Sequence, residues 1–333
     1  MRAVALPVIG AALSLSGRYA PFGLAIAQGL GTWQELEPGA RLVIEDDASD
    51  AVGLDRAFRR LEAGCDLLLG PYSTRLTRAA AGLAADRDRV LWNHGGAGDD
   101  VQRIAPGHVL STLTPASRYA EPFLARLEYD PRPLWIAAGR GAFSRQVSEG
   151  AASRAGKAVV RVQHGELAQR EPPAHDWVLF SSGTFEEDTA TVRWARALAR
   201  PPGTLCSVAA GIQRFADHVP DPAGVLGVAQ WVPGAPVGVD VGPEEDAFLR
   251  AHAARHQGLR PDYPAVQAAA TASLALHCLR LAGTAERATL FQAATGVRVR
   301  TLFGAFQADP ATGAQLAHRT VLVRWPGPEP VGG

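Results

Sequence analysis

Apolar runs that end at Gly, Pro, Ser or Thr alternate with segments of helical periodicity along more than half of this chain. No other feature restricts its fold as strongly. Strand candidates are Arg2 to Gly10, Arg41 to Glu45, Asp66 to Gly70, Val90 to Asn93, Leu134 to Ala138, Ala158 to Gln163, Trp177 to Ser181, Leu205 to Ala209 and Val225 to Trp231. Helix candidates fall between and after them: Phe22 to Leu36, Ala51 to Glu62, Thr74 to Arg87, Ser144 to Ala155, Glu186 to Leu198, Pro243 to Gln257 and Pro264 to Ala282. This order predicts an α/β protein whose sheets are parallel and built from βαβ units. With 333 residues, 47% of them hydrophobic, the chain can bury two separate cores, so two Rossmann-like lobes are expected. The Pro-rich segments Glu128 to Pro133 and Trp231 to Pro236 mark changes of direction or of lobe.

Two strand ends carry the chemistry. Leu67-Leu68-Leu69 gives way to Gly70-Pro71-Tyr72-Ser73, and Val90 to Asn93 gives way to His94-Gly95-Gly96-Ala97. In an open parallel sheet, ligands sit outside the carboxyl ends of the strands. Ser73 is placed to cap a helix starting at Thr74, whose first amides would face an anion. Tyr19 follows the first strand in the same way. In the second half of the chain Phe143 follows Leu134 to Ala138, and Thr184 and Phe185 follow Trp177 to Ser181. Aromatic walls with a few polar groups are what a small-ligand cleft requires.

Enzyme signatures are weak by comparison. Gly10 to Gly17 lacks the spacing of a dinucleotide loop, and Gly156-Lys157 lacks both the upstream glycine and the hydroxyl residue of a phosphate loop. No G-x-S-x-G occurs. His252 and His256 stand four apart on a helix candidate without a third metal ligand, which reads as a solvated helix face. No catalytic residue, metal or cofactor is therefore expected. The 33 basic and 33 acidic residues cancel and are dispersed, which argues against nucleic acid and anionic membrane as partners. No run after the N-terminus reads as a membrane span, so no membrane insertion is expected. Cys65, Cys206 and Cys278 are far apart in apolar surroundings and read as buried free thiols. Met1-Arg2 followed by Ala3 to Leu15 has the outline of a short signal peptide, but the same residues are needed as a first strand and are read as mature protein.

The opening Ala3 to Gly10 with Leu15 to Gly23, the acidic turn Glu45 to Asp50, the Gly70 to Ser73 corner, Ala223-Gly224-Val225, Tyr263 to Val266, Leu302 to Phe306 and Asp309 to Gly313 together resemble the type I periplasmic binding proteins. These are the substrate-binding components of ABC importers for branched-chain amino acids, amides and related molecules. The resemblance runs over nearly the whole chain in order and spacing. It implies two lobes joined by three crossings, with lobe one at 1–118 and 234–303 and lobe two at 119–233 and 304–330. It also implies hinge closure around a ligand held between the lobes by Tyr19, Tyr72, Ser73, His94, Gly95, Gly96, Ala97, Phe143, Thr184 and Phe185. In the amino-acid binders that this chain resembles, a serine at the place of Ser73, with backbone and a hydroxyl residue near Gly96 and Ala97, holds the ligand carboxylate. Here Ala97 replaces that hydroxyl. Those binders meet the ligand ammonium with an acid near the stretch that here reads Ala209 to Gln213, which contains none. An ammonium buried without a counter-charge is costly. The expected ligand is thus an amide, a carboxylate or another small polar molecule rather than a plain α-amino acid. The resemblance further implies a permease as partner and a periplasmic or cell-surface location. The alternatives are a cytoplasmic ligand sensor on the same fold and an enzyme without a recognisable motif.

Overall fold

The computed structural model describes residues 6–235, 238–326 and 329–330. The chain runs β1 (Val8–Leu13), α1 (Ala20–Leu36), β2 (Arg41–Asp46), α2 (Ala51–Glu62), β3 (Leu67–Leu69), α3 (Thr74–Ala85), β4 (Leu91–Asn93), α4 (Val101–Ile104) and β5 (Val109–Ser111). Then come α5 (Glu121–Arg126), β6 (Leu134–Ala138), α6 (Ala142–Arg154), β7 (Val159–Gln163), β8 (Val178–Ser182), α7 (Phe185–Ala197), β9 (Thr204–Ser207) and β10 (Leu226–Ala229). It closes with α8 (Glu245–Arg255), α9 (Tyr263–Ala282), α10 (Arg287–Gly296), β11 (Arg298–Thr301), β12 (Gly304–Gln307), β13 (Val321–Arg324) and β14 (Glu329–Pro330). The chain divides into unit one, residues 1–113 and 233–318, and unit two, residues 114–232 and 319–333.

Unit one is built on a parallel sheet of order β2-β1-β3-β4-β5, with the separate antiparallel hairpin β11-β12. One sheet face buries Leu68, Leu91 and Val109 against Leu54, Phe58, Leu61, Leu76 and Ala80 of α2 and α3. Packing of α1 on α9 is closer than side chains would allow. A Cβ on Gly29 would lie 2.3 Å from the Ala265 carbonyl oxygen, and the Trp33 indole N–H donates to Ser273 Oγ at 2.8 Å. Against the reading that no later run is long and apolar enough to span a membrane, α9 passes that test by length and composition. Its most apolar window is 72% buried, and it serves as a core helix.

Unit two repeats the pattern. Its parallel strands run β7-β6-β8-β9-β10, and β13 and β14 extend the edge antiparallel. The core gathers Trp135, Trp177, Leu179, Val192, Phe215 and Trp325. All three cysteines are buried free thiols.

Three expectations need correction. The first strand is Val8–Leu13 rather than Arg2 to Gly10, of which residues 2–5 lie outside the described residues. An unbroken apolar run carries no alternation that would fix its register, and the ladder is set by pairing of Val8 with Arg41 and Ile9 with Leu67. The last crossing does not fall at 303. Residues 304–318 stay with unit one because β12 pairs with β11, while Gln315 Nε2 donates to the Thr112 carbonyl at 3.0 Å. Residues 114–118, expected in lobe one, belong to unit two, where Gln230 accepts from Thr114 N at 3.1 Å.

The contact at Gly29 yields a paired test. Gly29→Ala should cost about 1–3 kcal/mol by overpacking. Gly82→Ala, in mid-α3 with nothing within 4 Å of the added Cβ, should instead stabilise by roughly 0.4–1 kcal/mol. Urea denaturation of both variants checks this, and equal effects would contradict the packing described.

Candidate functional site

A strand order of 2-1-3-4-5 has its topological switch point between the first and third strands. In unit one this is the edge where β1 and β3 end. The β1 exit is held by the turn after β2. Asp46 Oδ1 accepts from Leu15 N at 2.9 Å and Ser16 N at 3.2 Å, and Ser49 Oγ accepts from Tyr19 N at 3.0 Å. Burial opposes ionisation of Asp46, but the hydrogen bonds from Ser16, Ala48 and Leu15 outweigh it and keep its carboxyl below the ordinary range.

Tyr19 therefore stands fixed beside the β3 corner. Its ring centre lies 6.3 Å from that of Tyr72, which stacks on Phe22 at 4.3 Å and 8°. The Tyr72 hydroxyl lies 3.3 Å from that of Tyr263, at the start of α9. Four aromatic side chains thus meet at the switch point. Phe22 and Tyr263 were not among the expected site residues. Their signals were available, Phe22 one helical turn after Tyr19 and Tyr263 before a helix-starting proline.

Ser73 caps α3 as expected, its Oγ accepting from Leu76 N at 3.3 Å. That bond leaves the hydroxyl proton for another acceptor. The first turn of α3 carries no acidic residue, so its amides remain favourable to an anion. Ser73 also has φ +86° and ψ 142°, a region that L side chains avoid at about 1–3 kcal/mol.

The β4 exit holds that strained corner. Ser73 N donates to the Gly95 carbonyl at 3.0 Å. A Cβ on Gly95 would lie 2.3 Å from Pro71 O, and one on Gly96 2.3 Å from Thr77 Oγ1, so neither position admits a side chain. Asn93 organises the loop. Its Oδ1 accepts from Gly95 N at 3.1 Å and Gly96 N at 2.8 Å, and its Nδ2 donates to Gly96 O at 2.8 Å and Ser111 Oγ at 2.7 Å. The amides expected to grip a carboxylate here are spent on Asn93. His94 is fully buried, and burial pulls its pKa down to about 4, so it stays neutral; Ala97 is buried as well.

In unit two the corresponding edge lies where β6 and β8 end. Phe143 meets Tyr119 edge-on at 5.1 Å. Thr184 caps α7 reciprocally, its Oγ1 accepting from Glu187 N at 3.2 Å while Glu187 Oε2 accepts from Thr184 N at 2.8 Å. Glu186, Glu187 and Asp188 fill the first turn of α7, the opposite of α3. The Phe185 ring is covered by the Arg214 guanidinium at 4.4 Å and by His218 at 4.9 Å.

Sequence order alone also hid an acid near Ala209. Asp188 is buried there, accepting from Ser181 Oγ at 2.6 Å and Ala209 N at 3.0 Å, with His164 Nε2 at 3.7 Å. Burial raises the Asp188 pKa, and the carboxylate is occupied in joining the ends of β8 and β9.

No protein-family model and no curated protein matches the chain. Solved structures do. The leucine-binding protein LivK of Thermotoga maritima superposes with a TM-score of 0.81 at 14% identity, over 96% of this chain and 95% of that one. A solute-binding protein of an ABC transporter from Rhodopseudomonas palustris, in complex with 3,4-dihydroxybenzoic acid, gives 0.79 at 13% identity over 96% and 93%. The branched-chain amino acid substrate-binding protein LivJ of Streptococcus pneumoniae, in complex with isoleucine, gives 0.75 at 13% identity over 96% and 100%. This chain has the type I periplasmic binding protein fold, with two α/β units wound in one strand order.

Proposed function

We propose that this chain is the solute-binding component of an ABC importer, working outside the cytoplasm with a permease, and that its ligand is a small carboxylate or amide without an α-ammonium. The aromatic cluster of Tyr19, Phe22, Tyr72 and Tyr263 beside the Ser73 cap is the observation that carries this reading. It offers ring faces for an apolar body, a hydroxyl proton and a helix N-terminus for a carboxylate. The fold likeness to ABC solute-binding proteins, nearly complete in both directions, supports the transport role. Between the amino-acid and aromatic-acid ligands of those neighbours, the second is favoured. The acid at Ala209 is already paired with Ser181 and His164 and is held toward its neutral form, so it supplies no counter-charge to an ammonium.

Thermal unfolding with benzoate, 4-hydroxybenzoate, isobutyramide and leucine tests the ligand class. A ligand at one hundred times its dissociation constant adds about 2.7 kcal/mol, a shift of several degrees for a chain of this size. The carboxylates or the amide should give it and leucine should not. The reverse result would show that an ammonium is accepted.

Ser73 separates binding from stability. Ser73→Ala keeps the strained backbone and loses the cap, for a cost of about 1 kcal/mol. Ser73→Gly loses only a few tenths of a kcal/mol of capping and relieves about 1–3 kcal/mol of strain, so it should be the more stable of the two. Both should weaken ligand binding by roughly tenfold or more, as expected for a lost hydrogen bond to a charged group. Calorimetry showing wild-type affinity in both variants would remove Ser73 from the site.

A further inference from the structure

Unit two has the strand order of unit one, so the turn after β7 stands where the acidic Asp46 to Asp50 turn stands after β2. It opens with His164, the first residue of the 3₁₀ turn His164–Gln169, whose side chain is 7% exposed beside a 1% exposed Asp188. The imidazole meets three neighbours. Nδ1 lies 2.6 Å from Thr191 Oγ1 of α7, while Nε2 lies 3.3 Å from the Ser182 carbonyl and 3.7 Å from Asp188 Oδ1. Gly183 leaves room for the ring, since a Cβ there would lie 2.8 Å from Nε2.

The two ring nitrogens differ in freedom. A carbonyl can only accept, so Nε2 carries a proton whatever the charge of the ring. Opposite Nδ1 stands a hydroxyl, which donates to a neutral ring and accepts from a charged one, so Nδ1 can take up a proton with no heavy atom moving. Asp188 is the other half of the pair. Its Oδ1 accepts from Ser181 Oγ at 2.6 Å and its Oδ2 from Ala209 N at 3.0 Å, and burial raises its pKa. Among the described residues, His164 is the one side chain able to carry positive charge at ion-pair distance from it. The other titratable groups of the surrounding elements are occupied or neutral. Glu166 pairs with Arg170, and Arg161 of β7 with Glu149 of α6, all of them exposed. On α7, Glu186 is exposed, and Glu187 Oε2 faces the ring across Gly183 while accepting from Thr184 N. Burial pushes the Cys206 thiol of β9 well above its ordinary range.

We propose that His164 and Asp188 share one dissociable proton and work as a pH-sensitive latch, joining the exits of β7, β8 and β9 while the proton is held and loosening them when it leaves. With the proton on Asp188 both groups are neutral, and with it on His164 they form an ion pair, so neither arrangement buries a lone charge. Without it, a carboxylate stands buried beside a neutral imidazole, which is costly. A buried acid whose pKa is raised on folding binds its proton more tightly folded than unfolded. The latch is therefore closed at low pH and weakens as pH rises through that raised value.

Thermal unfolding of the full chain from about pH 5 to about pH 9 tests this, with Asp188→Asn and His164→Gln as variants. The amide in Asp188→Asn cannot ionise and can still accept from Ala209 N. The wild-type melting temperature should fall relative to that variant as pH rises, titrations elsewhere cancelling in the difference. In His164→Gln the fall should begin at lower pH, because a pair keeps a shared proton to higher pH than its acid alone. A local readout covers the case in which Asp188→Asn fails to fold. Hydrogen-exchange protection of the Ala209 amide in the wild type should drop by up to about tenfold per pH unit once the proton leaves. A constant melting-temperature difference would overturn the latch, as would constant Ala209 protection or an onset unmoved in His164→Gln.

Discussion

Ser73 stands in a backbone conformation that few residues other than glycine adopt, and the unit-one site depends on what keeps it there. Its N–H is tied to Gly95 O at 3.0 Å. Gly95 can come that close only because neither it nor Gly96 carries a Cβ, and Asn93 fixes both of their amides. The two short segments after β3 and β4 therefore act as one part. In this conformation Ser73 caps α3 and keeps its hydroxyl proton for another acceptor.

The two switch-point edges share a strand order but differ in charge. The first turn of α3 has no acid, so the partial positive charge at its start is open to an anion. The first turn of α7 is filled by Glu186, Glu187 and Asp188, of which Glu186 and Glu187 offset the same dipole while burial holds Asp188 toward its neutral form. Asp188 goes further, linking β8 and β9 through Ser181 and Ala209. Unit one thus offers the anion-receptive edge, while the acids of unit two are spent within it on Thr184, Ser181 and Ala209. A ligand with one carboxylate and an apolar body suits that unit-one edge.

Much of the fold was legible because each strand exit is written in residues with strong local preferences. Gly70-Pro71 stops β3, Ser73 and Thr184 cap the helices that follow, and Leu134 to Ala138 forms β6 with the bounds read from its apolar run. The losses have separate physical causes. β5 is three residues long, too short for any periodicity to register. The role of Asn93 was hidden because a polar residue ending an apolar run reads simply as the end of the strand. Asp188 lies in the first turn of α7, where an acid needs no further explanation than the helix dipole, and only the fold brings it to Ala209. His252, which is buried, was misread because a charged-looking helix gives no sign that Thr32, 220 positions earlier, will cover one face of it.

The placement of a carboxylate at the Ser73 cap is the centre of this account, and anomalous diffraction from crystals grown with 4-bromobenzoate tests it most directly. The bromine signal fixes the ring, and the density then fixes the carboxylate. The account predicts the ring among Tyr19, Tyr72 and Tyr263, with a carboxylate oxygen about 2.5–3.0 Å from Ser73 Oγ. A carboxylate oriented away from Ser73 and the start of α3, or a ring bound elsewhere on the chain, would contradict it.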